Sequence, residues 1–291
     1  MEIHNLTLPD GRNLEVVTSG TPSSSAILFH HGTPGSYKTW DKWLPSITDE
    51  GGFVITFSRA GYGMSSRNTG RTVIRNSEDT QAILEHFGVN RFVSIGASGG
   101  GPHALADTTL VQNVAVISIA GVAEYGSTDL DYLEGMGEEN KVEFAAAIAG
   151  EEALESWMIE NMSGFGEVTG EQLLEALGGL ISEADKKAVT LDVATTAAGG
   201  FRHGMVNGYY GIMDDDIAFV GAWGFDISRI KKPVEIWQGD QDLMVPLSHG
   251  QWLASKIPSA TLHFETGEGH ISLGINKRKE IVKNAMGYLQ A

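Results

Sequence analysis

The sequence predicts an α/β fold: a mostly parallel sheet with helices on both faces. Three observations carry this. Short apolar runs that read as buried strands alternate with stretches of helical period, the rhythm of strands joined by helical crossovers. That rhythm stops after Gly121 and resumes at Lys232-Pro233, enclosing a stretch rich in Ala, Glu and Gly with helical patterns and no good strand run. Finally, the run over residues 91–95 passes through Gly96-Ala97-Ser98-Gly99-Gly100 directly into a helical pattern opened by Pro102.

Eight strands can be read. Residues 3–8 and 13–19 form a hairpin about Asp10-Gly11, a strong turn signal between alternating runs. Single strands follow at 26–30, 53–57, 92–95, 114–119, 234–237 and 261–264. Helices are expected at 39–49, with Trp40, Trp43, Leu44 and Ile47 on one face, at 73–87 before Gly88, at 248–257 and at 276–290. The interrupting stretch offers helices at 140–149, 152–162, 171–180 and 183–196, with glycine breaks at 163–166 and Gly199-Gly200. The expected organisation is therefore a core domain from residues 1–121 and 227–291, and a helical cap from 122–226 inserted after the sixth strand. Such a cap would lie over the carboxyl ends of the strands, where ligands bind in sheets of this kind.

Composition narrows the function. The chain has 291 residues and a formal net charge of -17, which disfavours nucleic acid and anionic membrane surfaces as partners. Without cysteine there is no disulfide framework, thiolate zinc site or thiol nucleophile. The amino terminus lacks a basic segment followed by an apolar one, and no run of eighteen apolar residues occurs. A cytoplasmic protein, monomer or homodimer, is the expectation.

Strand, G-x-S-x-G and helix in succession are the context of a nucleophile elbow. The turn is so tight that Ser98 takes a strained backbone and its hydroxyl is thrust above the sheet. Gly96 and Gly100 are small so that the chain can double back. Serine needs a base to take its proton. His270, in the polar segment after the last strand, is the best placed of nine histidines. His263 lies within a strand, His103 should point away from Ser98, and His4, His86 and His249 read as surface residues. The base needs a carboxylate to fix its tautomer. Asp242, in Gly239-Asp240-Gln241-Asp242 directly after a strand, is the first choice, with Asp240 and Glu124 as alternatives. A developing oxyanion needs two donors: the Gly99 amide and, from the loop His31-Gly32-Thr33-Pro34-Gly35, the Thr33 amide. The run Asp214-Asp215-Asp216 has divalent-metal potential, but a solvated helix start or loop is the expectation.

These motifs resemble those of the α/β-hydrolase fold superfamily, in its capped serine hydrolases. The H-G-x-P-G loop at His31 to Gly35, the elbow, Gly-x-x-Asp-x-x-Val-Pro at Gly239 to Pro246, and Gly269-His270 all match. The Arg59-Ala60-Gly61-Tyr62-Gly63 loop is similar too, although Ser58 stands where the superfamily commonly has Asp. A nucleophilic Asp would suggest an epoxide hydrolase or haloalkane dehalogenase, and Ser98 argues against both. The resemblance implies an esterase-like enzyme for an uncharged, largely apolar small molecule, without metal or organic cofactor. Two alternatives are a prolyl-aminopeptidase-like peptidase, with Glu124, Glu134, Glu138 or Glu139 holding an ammonium, and a ligand receptor with little turnover.

Overall fold

The computed structural model describes residues 1–162 and 164–291. Its eight strands are β1 (Glu2–Thr7), β2 (Asn13–Ser19), β3 (Ser25–His30), β4 (Val54–Phe57), β5 (Arg91–Ala97), β6 (Asn113–Ile119), β7 (Val234–Gly239) and β8 (Ala260–Glu265). They form one sheet in the order β1-β2-β4-β3-β5-β6-β7-β8. The pairs β1/β2 and β2/β4 are antiparallel and the remaining pairs parallel. The register sets His30 beside Gly96, Ala97 beside Ile119, Ile119 beside Trp237, and Gly239 beside Glu265. The loops leaving β3, β5, β7 and β8 therefore emerge along one rim.

The α-helices are α1 (Leu44–Thr48), α2 (Asn76–Phe87), α3 (Gly100–Ala106), α4 (Glu138–Ala149), α5 (Glu151–Asn161), α6 (Gly170–Ala176), α7 (Glu183–Ala188), α8 (Leu191–Gly204), α9 (Tyr210–Val220), α10 (Leu247–Lys256) and α11 (His270–Gln290). Alternate residues of the central strands face opposite helical layers, as the two-residue period of a strand requires. Val116 and Ile236 pack with Leu105 and Leu253 on one face, while Ile117 and Trp237 pack with Trp40, Leu273 and Ile281 on the other. The first of these cores also contains Phe144, Phe219 and Trp223 from the helical insertion between β6 and β7, so insertion and sheet share apolar packing.

Four helical expectations change. The single helix over 39–49 is a 3-10 turn at Tyr37–Trp40 followed by the short α1. Pro45 sits in the first turn of α1, where its missing N–H costs nothing, whereas in a continuous helix it would remove a hydrogen bond. The helix over 183–196 divides into α7 and α8 at Val189-Thr190, where the Thr190 hydroxyl accepts from the Val193 amide and caps α8. Gly199-Gly200 does not break α8, which runs on to Gly204. Gly200 and Gly204 serve approach rather than interruption: a Cβ on Gly204 would collide with the Gly35 carbonyl, and one on Gly200 would press within 3.4 Å of the Thr39 hydroxyl. Lastly, α9 was not anticipated, and α11 starts at His270 itself rather than at 276.

The close approach of α8 to the Gly35 loop gives a paired expectation. Gly204→Ala should lower stability by about 1–3 kcal/mol through overpacking. Gly199→Ala, whose new methyl would have nothing nearer than 3.9 Å, should be neutral or raise it by up to about 1 kcal/mol through helix propensity. Urea denaturation of the two variants checks both signs.

Candidate active site

The chain between β5 and α3 confirms the steric argument for the elbow. Ser98 has φ 54°, in the left-handed region, a conformation that costs a non-glycine residue on the order of 1–3 kcal/mol and persists only where the surroundings impose it. They do so here: Ser98 N–H donates to the Ile119 carbonyl (2.9 Å), and the Gly101 N–H donates to the Ser98 carbonyl (2.9 Å). A Cβ on Gly96 would strike the Gly100 carbonyl, and one on Gly100 would strike the His30 carbonyl.

Gly32 and Thr33 lie against this turn. A Cβ on Gly32 would sit 3.3 Å from the Ser98 Cβ, and one on Gly99 would run into the Thr33 hydroxyl and come within 2.9 Å of the Phe219 ring. Among the described residues, neither the Thr33 nor the Gly99 amide has a protein acceptor. On the same rim, His270 Nδ1 is 2.8 Å from Asp242 Oδ2. Asp242 is buried and itself fixed: its Oδ1 accepts from the amides of Met244 (2.9 Å) and Val245 (2.8 Å), and Gln238 donates to Oδ2 (3.1 Å). Burial opposes the charged imidazolium, yet Asp242 outweighs it and raises the His270 pKa above its ordinary value. No hydrogen bond joins Ser98 to His270 among the described residues; such bonds commonly tighten only when substrate is bound.

The structure separates the three acid candidates. Asp242 meets His270, whereas Asp240 accepts from the Gly267 amide (2.8 Å) and braces the loop. Glu124 is half-buried at the start of the insertion, where the Trp223 amide reaches it at 3.5 Å. Glu134, Glu138 and Glu139 are exposed, and Glu138 pairs with Lys141. One histidine needs a correction. His249 is fully buried, not a surface residue: its Nδ1 accepts from the Ala123 amide and its Nε2 donates to the Tyr132 carbonyl. His103 is also buried and faces an element absent from the sequence reading, α9.

That element overturns the solvated reading of Asp214-Asp215-Asp216, since all three carboxylates are buried within α9. Asp215 accepts from Arg59 (2.6 Å), Arg71 (2.6 Å), Tyr62 (2.7 Å), Thr33 (2.7 Å) and His103 (3.0 Å). Burial opposes its charge, but Arg59 and Arg71 hold its carboxyl well below the usual range. Arg59 also donates to the carbonyls of His31 and Gly32, so one ion pair grips the loop that carries Thr33. His31 is wedged in the same place: Nδ1 donates to the Gly32 carbonyl and Nε2 accepts from the Arg59 amide. Asp214 is forked by Arg67 (2.9 and 2.8 Å). Asp216 is pushed well above the ordinary carboxylate range by burial and by the neighbouring Glu143 carboxyl of α4. Glu143 is raised by burial as well. Where the superfamily commonly has Asp, the Ser58 hydroxyl donates to Glu15 of β2 (2.8 Å), which His203 also contacts (2.8 Å).

Residues 25–276 match the family described as the alpha/beta hydrolase fold, and the chain belongs to that family. It is 26% identical over 283 residues to a non-heme chloroperoxidase of Streptomyces lividans, covering 91% of this chain and 92% of that one. A bifunctional esterase/perhydrolase of Acinetobacter calcoaceticus is 32% identical over 97 residues, 33% of this chain and about a third (35%) of the relative. Among solved structures, a bromoperoxidase from Bacillus anthracis superposes with a TM-score of 0.72 at 21% identity over the whole of both chains. An enol-lactonase from Burkholderia xenovorans LB400 gives 0.71 at 17% identity over 99% of this chain and all of the other. At these identities the two structures speak for the fold alone.

The Glu143–Asp216 pair has a measurable signature. Its carboxyls have raised pKa values when folded and ordinary ones, near about 4, when unfolded. Above that value the folded form holds more protons than the unfolded one. Their contribution is thus full below the unfolded pKa and is lost as pH rises through the folded values. Glu143→Gln removes one of the two charges, so urea midpoints should fall less for this variant than for the wild type between about pH 5 and pH 9. Parallel profiles would show that the pair does not titrate.

Proposed function

We propose that the protein is a serine hydrolase cleaving an uncharged carboxylic ester or similar acyl compound, with Ser98 as nucleophile, His270 as base and Asp242 as its orienting acid. The observation that carries this reading is the Asp242–His270 pair on the rim that also presents Ser98 at its left-handed turn. A bifunctional esterase/perhydrolase among the similar proteins supports it.

In this mechanism Ser98 Oγ attacks the acyl carbon as its proton passes to His270 Nε2. The carbonyl electron pair moves to oxygen, where the free amides of Gly99 and Thr33 receive it. Asp242 keeps the proton of Nδ1 in place and stabilises the imidazolium. The tetrahedral intermediate collapses, and the alkoxide leaves with the proton from Nε2. Water then gives a proton to the same nitrogen as it attacks the acyl-enzyme, and the second tetrahedral intermediate collapses to the acid while Nε2 returns the proton to Ser98 Oγ. Residues 122–226 act as the cap over this site. Phe219 walls it beside Gly99.

A fluorophosphonate should label the wild type at Ser98, whereas Ser98→Ala should be unlabelled and inactive on a panel of esters, lactones and aminoacyl arylamides. Asp242→Asn should lose about four orders of magnitude in turnover through the wrong histidine tautomer, while Asp240→Asn and Glu124→Gln retain most activity. Turnover confined to aminoacyl arylamides would make it a peptidase instead, and tight ligand binding without turnover a receptor. Because Asp242 raises the His270 pKa and the base must be neutral, kcat/KM should fall with acidification along a limb centred above about 6.5. A limb that survives in His270→Ala would overturn the assignment of the base.

A further inference from the structure

His270 is held twice. Asp242 holds its ring from the sheet side. Its backbone is held by a second carboxylate, Asp185, which belongs to α7 in the helical insertion. Asp185 is fully buried. Its Oδ2 accepts from the His270 amide (3.1 Å), and its Oδ1 accepts from the amides of Ile271 and Ser272 (both 2.8 Å). Three of the four amides that a helix leaves unsatisfied at its start are thus taken by one side chain from elsewhere in the chain. The Gly269 amide goes to the Ser272 hydroxyl (2.8 Å). Gly269 is glycine for a steric reason: a Cβ there would run into Asp185 Oδ2 and the Ser182 hydroxyl.

We propose that Asp185 is a positioning residue for His270: the insertion clamps the first turn of α11 and thereby fixes where the imidazole stands and how readily it carries charge. This rests on the reading of His270 as the base. A carboxylate at a helix amino terminus is stabilised by the aligned peptide dipoles, and here it also faces the residue that becomes cationic during turnover. The charged groups facing that turn are Asp242, from the loop after β7, and Asp185, from α7; both raise the His270 pKa against burial. Glu183, Lys187 and Glu268 line an open groove outside it. Of the other charges on or against α11, Lys277 pairs with Glu265, Arg278 with the Lys42 carbonyl, Glu235 with Asn284 and Arg91 with the Tyr288 carbonyl, while Lys279, Glu280 and Lys283 stand on later turns of the helix.

The test uses Asp185→Asn, which keeps an acceptor but removes the charge, and Asp185→Ala, which removes both. Glu183→Gln, on the exposed side of α7, is the control. The acid limb of kcat/KM should move to lower pH in Asp185→Asn and stay in place in Glu183→Gln. Asp185→Ala should lose on the order of tenfold to a hundredfold in kcat with KM little changed, as displacement of a base by about 1 Å does. The His270 titration is also read directly by NMR of imidazole carbon-13 in a Ser98→Ala background, so it needs no activity. If Asp185→Ala fails to fold, Asp185→Asn and this titration still decide. An unmoved His270 titration in folded Asp185→Asn would overturn the proposal. Absence of Ser98 labelling in the wild type would instead overturn the catalytic reading, and the two failures are distinguishable.

Discussion

One buried carboxylate constrains the whole upper side of this molecule. Asp215 has no solvent exposure, and taking such a charge out of water costs several kcal/mol unless its partners restore what water gave. The partners come from separate places: Thr33 after β3, Arg59 and Tyr62 after β4, Arg71 before α2, and His103 in α3. No one of these segments can shift without stranding a charge in an apolar setting. The position of α9 over the sheet is fixed by the same bonds. With it is fixed Phe219, one turn further along the same helix face, whose ring meets the elbow at Gly99. The geometry around Ser98 is thereby tied to the insertion as firmly as to the sheet.

Charge environment also sorts the histidines. His31, His103 and His249 are all buried, and for each burial is the largest influence and favours the neutral ring. His103 touches a carboxylate, but Arg59 and Arg71 stand nearby and its pKa falls to about 3. His270 is the opposite case: two carboxylates bear on it, no guanidinium among the described residues opposes them, and the balance is reversed. A neutral ring that can take up a proton near neutrality is what general base catalysis requires. The three neutral buried rings work as hydrogen-bonding struts for loops.

Much of this was legible in the sequence, and the rest was hidden for definite reasons. The strands were visible because their apolar runs are bounded by turn residues, and the elbow because sterics dictate glycine at Gly96 and Gly100. Asp242 and His270 stand out because each follows a strand whose end lies on the same rim. The role of Asp185 was concealed by a local pattern: Ser182-Glu183-Ala184-Asp185 reads as the capped start of its own helix, and the Ser182 hydroxyl does accept the Asp185 amide (3.3 Å). The start of α11 at His270 was missed for the same reason, since its cap lies 85 residues away in sequence. The buried acidic run was misread because three adjacent carboxylates suggest solvent. Arg67 forks one, Arg59 and Arg71 neutralise the second, and burial beside the Glu143 carboxyl raises the pKa of the third. Each answer comes from a distant segment.

The glycine contacts of α8 bear on how freely such insertions can be exchanged. The helix backbone meets the Gly35 carbonyl and the Thr39 hydroxyl with no room for a methyl group at Gly204 and little at Gly200. Those two loop residues adjoin the segment that carries Thr33. Transplanting the insertion onto a relative's sheet would transfer its helices without the partners that their glycines, and Asp215, were shaped to meet. In this chain the insertion is not a detachable module: its helices and the loops beneath it are shaped to each other.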